Sequence, residues 1–124
     1  NRVSLLVAVL EKKLGLQLMQ DDIFVNVAGG VKIDEPAADL AIVSVVASSF
    51  LDKPVRGHTV VFGEIGLTGE IRPINRIEQR VREAQKMGFH RCLLPRDNLM
   101  HLTPPKGMEL AGLNSITQLP DILF

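Results

Sequence analysis

A chain of 124 residues, 46% of them hydrophobic, is long enough to bury one core without disulfide or metal staples, and no run of about 18 apolar residues marks a membrane span. Fourteen basic and fourteen acidic side chains balance to zero, which argues against a strong stand-alone nucleic-acid binder while leaving room for a local basic patch. The single cysteine, Cys92, excludes an internal disulfide and fits a reducing, cytoplasmic setting; between Arg91 and Leu93 it reads as a small core residue.

The chain opens at Asn1 with no signal-like segment, so it is expected to be a piece of a longer protein. Residues 2–14 predict a helix. Val3, Leu6, Val7, Leu10 and Leu14 form its stripe, Asn1 can cap it and Gly15 can end it. Leu5 and Val9 fall outside the stripe, which implies packing on two sides or against a partner. A short strand is expected at 23–27, a turn at Gly29 and Gly30, and more sheet at 31–33. Asp34, Glu35 and Pro36 open a helix to about Leu51, apolar almost all round and therefore expected at the centre. Ala37, Ala41, Ser44 and Ser48 give it a stripe of small residues. Strands follow at 59–63 and 69–73, then a helix at 75–87 with Ile77, Val81 and Ala84 facing in and Gly88 ending it. Strands at 91–94 and 108–113 are joined by a proline-containing loop. Ser115 caps a last short helix that Pro120 is expected to distort. Strands and helices alternate, so the class is α/β.

Little of this carries chemistry on its own. Gly63, Gly66 and Gly69 lack the Lys-Ser/Thr pair of a phosphate loop and read as turn and bulge glycines. His58, His90 and His101 have no ligand spacing, so no metal site is expected. Asp34, Glu35 and Asp39 cluster where caps and dipole partners belong. Ser44, Ser48 and Ser49 have no base nearby in sequence, and buried helical hydroxyls usually bond back to the preceding turn.

Four blocks carry a resemblance: NRVSLLVAVLEKK, DIFVNVAGGVKIDEPAADLAIVSVVASSF, VFGEIGLTGEIRPI and RIEQRVREAQKMGF. In order and over essentially the whole chain, they resemble the C-terminal Lon protease-like domain of the bacterial RadA (Sms) DNA-repair family. The resemblance implies a two-layer α/β domain of the ribosomal protein S5 domain 2-like kind over residues 1–124. It also implies that the catalysis is gone. Lon-type proteases place a serine where Ala37 stands and a lysine where Glu78 stands. A methyl group cannot attack a carbonyl, and a carboxylate beside no nucleophile activates nothing. No catalytic residue, cofactor or metal is therefore expected in this fragment. ATP, Mg and Zn belong by resemblance to missing zinc-binding and RecA-like ATPase parts of the parent.

By the same resemblance the partners are single- and double-stranded DNA of any sequence, further copies of the chain in a ring expected to be a hexamer, and the RecA recombinase. The cations proposed for DNA contact are Arg2, Lys32 and Arg72, followed by Arg76 and Arg80. Lys32 and Arg72 have no local acidic partner except Glu70 on the same strand face as Arg72. Glu78 with Arg82 and Glu83 with Arg80 are expected to pair on the helix surface. With no tyrosine or tryptophan, DNA contact is expected to be with the backbone. The reading is a non-catalytic DNA-binding and ring-assembly domain of an ATP-dependent recombination protein. A pure oligomerisation scaffold and a protease-derived peptide-binding module are the alternatives.

Overall fold

The computed structural model describes residues 2–15 and 35–124; the strands and turn expected at 23–33, Lys32 among them, lie outside the described residues. Helix α1 (Arg2–Leu14) is followed by a 3-10 turn (Pro36–Ala38) that runs into α2 (Asp39–Leu51). Then come β1 (Thr59–Val61), β2 (Glu64–Ile65), β3 (Ile71–Arg72), α3 (Ile77–Lys86), β4 (Arg91–Pro95), α4 (Arg96–Leu99) and β5 (Glu109–Leu113). A 3-10 turn (Ile116–Gln118) and α5 (Leu119–Ile122) complete the order.

The main sheet is parallel, in the order β1-β4-β5, with Val60 beside Cys92 beside Leu110 and Val61 beside Leu93 beside Ala111. All five residues of β4 are buried, as a parallel strand covered on both faces should be. Side chains alternate across it. Leu93, Val61 and Leu113 face a core built from Leu6, Val9 and Leu10 of α1 and Leu40, Val43 and Ala47 of α2. Cys92, Leu94, Val60 and Leu110 face a second core with Val81 and Ala84 of α3 and Met108. The described residues thus form three layers where two were expected. The reason is β4: its apolar run has no polar face to turn to water.

Helix α2 departs from expectation too. Leu40, Val43, Val46 and Ala47 are buried, but Val45 is 62% exposed and Ala41 only half-buried. One side of the helix therefore stays open among the described residues. On α1, Val9 joins the core while Leu5 stays exposed, because the helix packs against both α2 and the Ile116–Gln118 turn. Ser44 bonds back to the Leu40 carbonyl at 2.7 Å as expected.

Three local features place the surface around the candidate site. The hairpin β2–β3 pairs Glu64 with Arg72 and closes through residues 66–69, where Gly69 takes φ +83°. Gly63 leaves just enough room for Leu40 and Ile71, each within 3.2 Å of where its Cβ would stand. The loop expected between β4 and β5 contains α4. From that helix Asn98 grips both backbone groups of Ile74, accepting its N–H at 2.9 Å and donating to its carbonyl at 3.0 Å. Ser115 caps the last helical segment as expected, in a capping box that Gln118 completes, while Pro120 sits in the first turn of α5 and does not cause the distortion expected of it.

Candidate nucleic-acid interface

Ala37 is buried in the 3-10 turn, its carbonyl accepting the Gly63 N–H at 2.9 Å, while the Gly63 carbonyl accepts from Leu40 at 3.0 Å. These two bonds clamp the start of α2 to the end of the β1 segment. Glu78 points to solvent on α3 and pairs with Arg82 at 3.3 Å, as expected. Glu83 pairs with Lys86 at 3.9 Å rather than with Arg80. Arg80 turns the other way: it bonds the Asn75 carbonyl at 2.9 Å, the Asn75 side chain at 3.1 Å and Glu35 at 3.2 Å. It ties α3 to the turn holding Ala37.

Arg2 behaves unlike a free cation. Its Nε and Nη2 donate to the two oxygens of Asp39, both at 2.6 Å. Asp39 is wholly buried and also accepts the Ile65 N–H at 3.0 Å. One carboxylate thus joins α1, α2 and β2. Hydrogen bonding to Asp39 raises the Arg2 pKa further, against the opposing effect of burial. The sequence suggested a cap or dipole role for Asp39; its position is that of an internal anchor.

Arg72 is also paired, and more heavily than expected. It lies 3.2 Å from Glu70 and 3.7 Å from Glu64 across the hairpin. Arg2 and Arg72 share the field of Glu64, so the structure brings them into one network with Asp39, Glu64 and Glu70. Two cations face three carboxylates there. Arg76 sits in the left-handed region at the start of α3 with φ +57°, solvent-exposed and without an ion-pair partner among the described residues.

Glu70 folds back over the Gly-rich turn. It accepts the Thr68 hydroxyl at 2.7 Å and the Thr68 N–H at 3.1 Å, and a Cβ on Gly66 would run into its carboxylate. The Thr68 hydroxyl, with smaller help from Arg72, lowers the Glu70 pKa to about 2 from an ordinary 4.5. A depressed folded-state value contributes stability above pH 4.5 that is lost as pH falls through about 2. A carbon-detected NMR titration is expected to place the Glu70 midpoint near 2 and to move it upward in Thr68→Ala. A midpoint unmoved by that substitution assigns the shift to another cause.

Sequence reasoning missed Arg91. Its guanidinium is buried, donates to the Ile122 carbonyl at 2.5 Å and lies 3.4 Å from Glu109, while Nε and Nη1 have no hydrogen-bond partner among the described residues. Burial lowers its pKa, reinforced by Arg56 and opposed by Glu109. An arginine inside a strand of Cys and Leu is the only sequence signal that could have marked it. His58 and His90 lie with ring centroids 4.9 Å apart, but among the described residues no three His, Cys, Asp or Glu side chains come together to hold a metal. Among the described residues no helix is long and apolar enough to cross a membrane.

The profile of a family described as "Subunit ChlI of Mg-chelatase" matches residues 3–98. The chain is also similar to proteins named "DNA repair protein RadA". It is 55% identical over 118 residues to the one from Bacillus subtilis (strain 168), covering 95% of this chain and 26% of that protein. It is 52% identical over 116 residues to that of Listeria monocytogenes, with 94% and 25% covered. For Streptococcus pneumoniae the identity is 49% over 124 residues, with 100% and 30% covered. The chain therefore spans between a quarter and a third of the length of these curated relatives.

Proposed function

The chain belongs to the family described as "Subunit ChlI of Mg-chelatase", and on that premise we propose that it is the non-catalytic, Lon-like C-terminal domain of a DNA-repair protein of the RadA kind. Residues 1–124 form one domain of it, contributing cations to DNA-backbone contact and a surface to ring assembly. The observation that carries this reading is the near-50% identity to RadA proteins along the whole chain, beyond the end of the family match. A second supports it: Ala37 is a buried methyl group and Glu78 an exposed carboxylate, so neither half of a Ser–Lys dyad is at hand.

Among the described residues, the glycine series does not fit a bound nucleotide. Gly63, Gly66 and Gly69 shape a hairpin and its entry rather than opening a helix onto a phosphate. ATP, Mg and Zn are accordingly assigned to parts of the longer protein outside this chain.

For DNA we propose Lys32, Arg72 and Arg76 as phosphate contacts; Arg80, held by Asn75 and Glu35, and Arg2, held by Asp39, are positioning residues rather than contacts. The pairs of Arg72 with Glu64 and Glu70 do not preclude this. Exposed pairs contribute only about 0–1 kcal/mol each, so a phosphate can replace them. Ring assembly, expected to be hexameric, is favoured by exposed Leu5 on α1 and Val45 and Phe50 on α2, and the RecA recombinase is a further proposed partner.

The test is DNA binding by the full-length protein carrying Lys32→Ala or Arg72→Ala. Affinity for single- and double-stranded DNA of any sequence should fall. The slope of log affinity against log salt should drop by about 0.9 per lost duplex contact and about 0.7 per single-strand contact, for each engaged subunit. Variants that come apart as monomers while DNA affinity per assembled ring stays intact give the surface to assembly and favour the scaffold reading.

A further inference from the structure

Beside the proposed DNA contacts lies a groove of about 770 Å³ between β1, which among the described residues is at one edge of the β1-β4-β5 sheet, and the exposed flank of α3. Its floor is hydrocarbon: half-buried Val60, Phe62 and Phe89, with Met87 73% exposed at the end of the helix. Its rim carries Arg76, Arg80, Arg82 and Lys86 against the single carboxylate Glu83. We infer that this groove is a docking site for an acidic segment of a partner protein in which carboxylates alternate with bulky apolar side chains.

The chemistry of the rim and of the floor point to the same occupant. Arg80 is held by Asn75 and Glu35 and is not available. Arg76 has no ion-pair partner among the described residues, and the pairs of Arg82 with Glu78 and Lys86 with Glu83 are solvent-exposed at 3.3 and 3.9 Å. Such pairs are weak and exchange readily for incoming carboxylates. The floor demands apolar side chains: an exposed methionine beside two phenylalanines is an adaptable hydrophobic seat left open to water. Nucleic acid is the poorer match. A phosphate backbone would find hydrocarbon beneath it and would leave the apolar floor unmatched. Helix α3, ten residues long, runs about 15 Å, enough for roughly five residues of an extended segment.

Arg76 is shared with the DNA reading, but Arg72 does not line the groove, and the substitutions used below, at Met87 and Arg82, touch no proposed phosphate contact, so the two readings fail separately. The experiment measures the fluorescence anisotropy of a fluorescein-labelled peptide alternating Glu or Asp with Leu and Phe, titrated with the full-length protein. The peptide should saturate. Replacing its acids by Gln and Asn should weaken it about fivefold at low salt, and replacing Leu and Phe by Ser should abolish binding. Met87→Glu should weaken it about tenfold and Arg82→Glu about fivefold, with DNA affinity and its salt slope unchanged in both. Both side chains are exposed, so both variants should fold. No binding, or binding indifferent to both substitutions, overturns the proposal. Weakened DNA binding in Met87→Glu, with the peptide displaced by oligothymidine, gives the groove to nucleic acid and overturns it equally.

Discussion

Arg2→Ala is expected to lower the free energy of unfolding by about 3 kcal/mol, read as a shift in the urea midpoint at unchanged slope. The substitution strands Asp39, 0% exposed, with only the hydrogen bond from Ile65 among the described residues. Removing one partner of a buried pair costs about 3–5 kcal/mol, and the partial exposure of Arg2 places this case at the low end of that range. Arg2→Lys keeps the charge but loses the fork that engages both oxygens, so an intermediate loss is expected. The double variant Arg2→Met with Asp39→Leu should recover most of the stability, because no uncompensated charge is left inside. A double variant as unstable as the single one would show that the ion pair is not what binds α1 to α2. The result also bears on DNA: any DNA defect of Arg2→Ala should track unfolding, whereas that of Arg72→Ala should appear in a fully folded protein.

How far the sequence could see depends on how local each feature is. The limits of α1 match its apolar spacing and the Gly15 stop. The Ser115 cap needs only a single turn's window, and both were legible; the Gln118 half of the capping box was not. The four-residue α4 was not, because a single turn after Pro95 has no periodicity to display. The pairing of Arg2 with Asp39 spans 37 positions, and no pattern along either helix announces it. For Arg72, Glu70 was visible two residues away on the same face, but Glu64 became a neighbour only through the hairpin register. The candidate DNA set looked unpaired for that reason. The groove joins β1 to α3 and brings together residues from 60 to 89, so its apolar floor and basic rim were separate facts in the sequence.

Cys92→Asp is expected to cost about 4 kcal/mol or more and to leave the chain largely unfolded, a result that turns on the number of layers. On a two-layer sheet, one face of β4 meets water and a carboxylate there is tolerated. Cys92 lies on the face opposite Leu93, and both are 0% exposed, Cys92 against α3 and Leu93 against α1 and α2. A carboxylate at position 92 would enter the second core, exchanging water for the hydrocarbon of Val81, Ala84 and Met108. Cys92→Ala, which only opens a small space, should remain folded and serve as the control. The wild-type thiol gives an independent reading of the same burial. Burial pushes its pKa up from 9.0 to about 12, so it should react with a disulfide reagent only as fast as the domain opens, and stoichiometrically in urea. Because the folded-state value is raised, the stability it reflects is complete below pH 9 and is lost as pH rises through about 12. Rapid native-state labelling of Cys92 together with a folded Cys92→Asp would mean that α3 does not cover the sheet. The groove beside α3 would then lose the floor on which the acidic segment is proposed to dock.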